Sequence, residues 1–207
     1  MPKDGRSIRA KNIYDKAHEN LVESAIQLFN NPEIPNDTIN LSLIAKEAGT
    51  SVATAYNHFP ENLIDVFGSI FNIGFEKITE SVTEFNRSNS DPYDQLNAYV
   101  EIQTKVSIEL GNSLREAFYQ FREILMSNNW IKGEPYSFLF GICNDYAEKN
   151  IEVDANTLAD DIFVLWNGNI YLWMRYNSEF EIWSKFTDEW LVSEMNKIVD
   201  KALLLQK

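Results

Sequence analysis

The stretch Leu41–Phe59, LSLIAKEAGTSVATAYNHF, decides how the chain is read. Leu41, Ile44, Ala45 and Ala48 fall at i, i+3, i+4 and i+7, a single apolar stripe of an α-helix. Asn40 is placed to cap that helix, and Gly49 supplies a residue that takes positive φ and stops it. Thr50 or Ser51 can cap a second helix, in which Val52, Ala55, Tyr56 and Phe59 repeat the apolar spacing before Pro60 ends it. Ala53, Thr54, Asn57 and His58 are then left outward. Two helices joined by a short glycine turn, the second with a small polar outer face, predict a helix-turn-helix whose second helix is shaped for a DNA major groove. On spacing alone an ordinary corner between two helices fits as well.

The rest of the chain is read as helices around this pair. Upstream, Tyr14, Ala17, Leu21, Ala25, Leu28 and Phe29 form the stripe of a first helix that Asn30, Asn31 and Pro32 terminate. Downstream, Leu63, Phe67, Ile70, Phe71, Gly74, Ile78, Val82 and Phe85 keep helical period as far as the polar run Arg87 to Asp91. That long helix follows Pro60 and Glu61 without a flexible linker, so it can transmit a rigid shift. Helical stripes then run to Leu110 before Gly111, from Leu114 to Leu125, and from Tyr136 to Ala147. A further helix starts at Asn156 or Thr157 and carries Leu158, Ile162, Leu165, Trp166, Asn169 and Trp173. A last one, capped by Thr187, carries Leu191, Met195, Ile198, Ala202 and Leu205. There is no strand-like alternation, and the fold class is all-α.

Charge separates the two ends of the chain. The formal net charge is −13, which by itself disfavours a nucleic-acid partner. Residues 1–16 nevertheless carry five basic and two acidic side chains, and residues 1–60 sum to −1. The acidity therefore lies in residues 61–207, the pattern of a small DNA reader joined to an acidic effector domain. A hydrophobic content of 44%, no apolar run of about 18 residues and no apolar leader segment predict a soluble cytoplasmic chain. A single cysteine, Cys143, fits a reducing compartment and reads as a small buried hydrophobe.

IAKEAGTSVATAYNHF resembles the signature of the tetracycline-repressor-like (TetR/AcrR) regulators, roughly I-A-x-x-A-G-V-S-x-G-T-L-Y-x-H-F. Ile44, Ala45, Ala48, Gly49, Ser51, Thr54, Tyr56, His58 and Phe59 match it. It is also similar to lactose-repressor-type headpieces, but those start near the N-terminus and lead into an α/β domain, whereas here a whole helix precedes. LADDI…LW-G at Leu158–Gly168 is similar to the tetracycline-repressor-like family as well.

The resemblance implies a helix-turn-helix domain over residues 1–60 and a helical effector-binding and dimerisation domain over residues 61–207. It implies DNA contacts from Lys46, Thr50, Ser51, Val52, Ala53, Thr54, Tyr56, Asn57 and His58, with Arg6 and Arg9 from a basic N-terminal arm. Thr54 and Asn57 would face base edges, and Tyr56 and His58 would hold phosphates. It also implies a homodimer formed through Leu158, Ile162, Leu191, Met195, Ile198 and Ala202. The expected activity is that of a repressor released from a palindromic operator by a hydrophobic or cationic effector.

The chain departs from the family pattern at two places. Val52 stands where a basic residue is common, and FPENL after Phe59 is two residues short of F-x-x-K-E-x-L and lacks its lysine. Both losses remove phosphate contacts, so DNA binding is expected to be weak or to lean on Lys46 and the basic arm. The alternative expectation is a small-molecule or protein-binding member of the family with little DNA affinity.

Nineteen of the 27 aromatic residues lie between Tyr93 and Trp190. Ordinary packing accounts for most such enrichment, while the resemblance implies a ligand cavity there, with Phe118, Phe121, Trp166, Asn169 and Trp173 as candidate lining residues. The two histidines, His18 and His58, lie in the DNA-binding segment, and there is no Gly-rich phosphate loop, nucleophile elbow or Cys/His metal spacing. No enzymatic activity, metal, cofactor or membrane association is expected.

Overall fold

The computed structural model describes residues 5–127, 134–176 and 186–206, with side chains at 8–119, 136–175 and 186–206. The described residues form helices and no strands. The chain divides into two compact units, Met1–Asn72 with Leu110–Phe121, and Ile73–Glu109 with Arg122–Lys207. No helix among the described residues is long and apolar enough to cross a membrane.

The first unit is built on α1 (Gly5–Asn30), α2 (Leu41–Glu47), α3 (Val52–His58) and the start of α4 (Leu63–Ser88). Leu21, Val22, Ala25, Leu28 and Phe29 of α1 are buried with Leu41, Ile44 and Ala45 of α2, Ala55 and Phe59 of the α3 end, and Val66, Phe67 and Ile70 of α4. The Phe29 and Phe67 rings lie 5.2 Å apart. α1 begins well before its apolar stripe. Its described residues 8–16 are all exposed, so the basic segment expected as an arm is helical and presents its cations to solvent. Arg9, Lys11 and Lys16 are good helix formers and need no buried partner to continue a helix already nucleated on the core.

Residues 110–121 belong to this unit through a polar knot. α5 (Pro92–Ser127) is broken at Gly111, whose φ of 52° and ψ of −126° leave the helical region. A Cβ there would meet Asn30 Oδ1 at 3.0 Å. That oxygen instead accepts the Ser113 amide at 3.0 Å and so caps the second segment of α5 from another helix. Asn112 Nδ2 donates to the Phe29 carbonyl at 2.7 Å, and Asn36 Nδ2 donates to Glu116 Oε1 at 2.8 Å.

In the second unit α7 (Ala155–Tyr176) packs against α6 (Glu134–Lys149), α8 (Asp188–Met195) and α9 (Ile198–Leu205). Leu158, Ile162, Ile170 and Trp173 of α7 are buried with Leu139, Ile142 and Cys143 of α6. Burial pushes the Cys143 thiol up to about 12, which keeps it unionised and unreactive. Tyr93 Oη donates to Asp200 Oδ1 at 2.6 Å, and Gln206 Nε2 donates to Asp161 Oδ2 at 2.9 Å, tying down the C-terminal helix.

Two helix boundaries differ from the sequence expectation. Asp154, not Asn156 or Thr157, caps α7, accepting the Thr157 amide and hydroxyl at 2.8 Å each. The last helix is two helices. At Asn196 and Lys197 the backbone tightens, with the Lys197 amide reaching the Glu194 carbonyl three residues back. The apolar stripe survives this break, so periodicity alone does not reveal it.

Candidate functional site

The α2–α3 pair is held by local hydrogen bonds that its sequence dictates. Asn40 Oδ1 accepts the Leu43 amide at 3.0 Å and starts α2. α2 ends in a Schellman turn: Gly49 takes φ +64°, its amide reaches the Lys46 carbonyl at 3.2 Å, and the Thr50 amide reaches the Ala45 carbonyl at 2.9 Å. Ser51 Oγ then accepts the Thr54 amide at 3.0 Å and starts α3. The Ser51 and Thr54 hydroxyls are 2.8 Å apart, which holds the Thr54 side chain in one orientation while leaving it a further hydrogen-bonding site.

After Phe59 the short connection closes through Asn62 at φ 66°, with its amide on the Phe59 carbonyl at 3.0 Å. Asparagine tolerates this left-handed conformation because its short polar side chain bonds locally. Asp65 Oδ2 accepts the Glu61 amide at 2.8 Å.

The residues of α3 are distributed differently from the spacing prediction. Ala55 and Phe59 are buried as expected, but Val52 and Tyr56 are 42% and 48% exposed. His58 turns inward instead and is only 9% exposed. Its ring centroid lies 4.0 Å from Tyr14 and 5.5 Å from His18, both on α1. The expectation of His58 as an outward phosphate contact is therefore corrected. α1 lends its side the ring surface that makes burying an imidazole favourable, which no pattern within α3 records. Desolvation, and then the neighbouring His18, hold the His58 pKa below its ordinary value of 6.5, so His58 is neutral at pH 7.

The outward face of α3 is thus Val52, Ala53, Tyr56 and Asn57, flanked by half-buried Thr50 and Thr54 and by exposed Ser51. Lys46 on α2 and Arg9 on α1 are exposed too, whereas the Arg6 side chain lies outside the described residues.

Phe118 belongs to the first unit and Trp166, Asn169 and Trp173 to the second, while the Phe121 side chain lies outside the described residues. Trp173 is 1% exposed, and its Nε1 donates to Asp188 Oδ1 at 2.8 Å. It is buried in the second unit. Trp166 differs: its Nε1 is buried without a hydrogen-bond partner, and Asn169 is half-buried on the next turn. A groove of about 360 Å³ on α4 is lined by Thr79, Glu80, Thr83, Glu84 and Arg87, none of them a candidate pocket residue.

The candidate dimer residues are corrected together. Leu158, Ile162, Leu191, Met195, Ile198 and Ala202 are each at most 1% exposed within one chain. They pack α7 against α8 and α9, so a second copy cannot touch them without opening that core. Sequence reasoning took the inner stripe of these helices for their outer one. The apolar residues left outside are Val164 at 66%, Tyr171 at 40%, Val192 at 38%, and Leu204 and Leu205 at 64% and 65%. Among the described residues, no three His, Cys, Asp or Glu side chains gather as metal ligands would. The chain matches no family model, no curated protein and no solved structure.

Proposed function

We propose that the chain is a ligand-responsive transcriptional regulator of the tetracycline-repressor type, which reads duplex DNA through α3. One observation carries this reading. A Schellman turn and two side-chain caps fix α3 against α1 and α2, and its outer face presents Ala53, Tyr56 and Asn57 with Thr54 beside them. Small residues let a helix approach base edges closely, while a hydroxyl and an amide are the groups that read them. Tyr56, about half exposed, offers its hydroxyl to a phosphate. Such contacts set register, and Thr54 and Asn57 supply discrimination.

As a repressor the chain acts as a homodimer on a palindromic operator, its two α3 helices about 34–36 Å apart. The exposed residues Val164, Tyr171, Val192, Leu204 and Leu205 give that dimer its apolar surface. An effector taken up in the second unit uses the unpaired Trp166 N–H and Asn169. Its binding reaches α3 through α4, a helix continuous from Leu63 to Ser88, and through α5, whose second segment is knotted to Asn30 and Asn36. By linkage, DNA weakens effector binding by the same factor, typically worth about 1–3 kcal/mol.

A second reading keeps the effector site and gives up strong DNA affinity. The inward turn of His58, the exposed Val52 and the missing lysine after Phe59 favour it, because each removes a phosphate contact. Each such contact is worth about 0.9 in the slope of log affinity against log salt, so DNA binding should have a shallow salt dependence. Selection of bound fragments from genomic DNA at low salt separates the two readings. The regulator returns an enriched palindrome, and recovery of no enriched sequence would sink it.

A further inference from the structure

We propose that His58 and His18 form an acid-sensitive pin between α3 and α1: proton uptake by His58 loosens the packing of α3. The pin stands on the geometry of the first unit and does not depend on the DNA-reading proposal. His58 is walled by the Tyr14 ring at 4.0 Å and the His18 ring at 5.5 Å, and Phe59 packs on His18 at 5.0 Å. His58 Nδ1 is buried without a hydrogen-bond partner. In the neutral ring this is one unpaired lone pair or N–H. In the imidazolium it is a buried charged donor with nothing to receive it, a far more costly arrangement.

The surroundings offer no relief. The groups facing His58 from α1 are Tyr14 and His18, and among the described residues the one charged group acting on it is His18, of like sign. α4 meets the pair through Ser69, whose hydroxyl donates to the Asp65 carbonyl at 2.9 Å. With its proton so placed, Ser69 Oγ is an acceptor for His18 Nε2–H at 3.3 Å. His18 thereby turns its Nε2–H toward Ser69. Both rings cannot be charged in the packed state without repulsion. The Tyr14 face attracts a cation weakly but leaves Nδ1–H unsatisfied, so burial decides the outcome.

The sign follows from linkage. The folded state binds the His58 proton less readily than the unfolded chain does, so stability contributed by the neutral ring is complete above about pH 6.5 and is lost as pH falls below it. Histidine Cε1–H NMR titration of the full chain, with amide hydrogen exchange from about pH 7.5 to about pH 5.5, tests this directly. His58 should titrate below 6.5. Exchange in α3 and the facing turns of α1 should then accelerate beyond the intrinsic pH effect as pH falls from about 6.5 to the His58 midpoint, by at most roughly tenfold per unit of pH, and level off below that midpoint, with α7 unchanged.

His58→Phe keeps a ring against Tyr14 and should abolish the response. Should that variant not fold, His18→Gln retains a donor for Ser69 while removing the like charge, and should raise the His58 midpoint. A midpoint at or above 6.5 in the wild-type chain, an unaltered acid response in His58→Phe, or an unmoved midpoint in His18→Gln would each overturn the pin.

Discussion

Tyr56 and Phe59 are three positions apart on α3, yet Phe59 is fully buried and Tyr56 is half in solvent. The difference matters for chemistry, because a phenol hydroxyl is useful to a partner only when water can reach it. Thr54 is the complementary case, its hydroxyl oriented by Ser51 and its backbone amide already used as the cap. These two side chains should therefore fail differently. Tyr56→Phe is expected to weaken binding to all duplexes alike and, because a phenol carries no charge, to leave the salt slope unchanged. Thr54→Ala is expected to alter preference at one base pair by about 1–3 kcal/mol with little effect elsewhere. Titrations of both variants against a panel of duplexes check this, and two silent variants would mean that α3 is not the reader.

At the scale of the element, the turn between α2 and α3 is the most sharply determined part of the molecule. Gly49 has open space where a Cβ would stand, so its requirement is conformational and not steric. Gly49→Ala should cost about 1–2 kcal/mol in chemical denaturation, the strain of a left-handed alanine. A cost near zero would show that the turn relaxes. This turn, the Asn40 and Thr187 caps and a cap at Thr50 or Ser51 are legible in the sequence because each rests on residues a few positions apart; that Ser51 is the one used comes from the structure. The inward turn of His58 is not legible there, since its warrant is two rings on α1 some forty residues away. The same holds for Asn30 capping a helix segment 83 positions on, and for the six C-terminal residues expected at a dimer seam. A helical stripe shows that a face is apolar; whether its own chain or a second copy covers it is a tertiary fact.

At the scale of the molecule, the all-α chain of net charge −13 carries its net acidity in residues 61–207, and α7, α8 and α9 each present exposed apolar side chains. Leu204→Glu is the discriminating substitution for self-association, because Leu204 is 64% exposed. It should leave helicity and melting temperature unchanged while shifting sedimentation towards the monomer. An unshifted profile would place any dimer contact elsewhere. The central claim is that the outer face of α3 is the surface that meets DNA. Hydroxyl-radical footprinting of the full chain with sheared genomic duplex at low ionic strength tests it most directly. The account predicts protection of Tyr56 and of the neighbouring turn at Lys46, with Val164 and Leu204 unchanged. Protection confined to other surfaces, or none at saturating DNA, would contradict it.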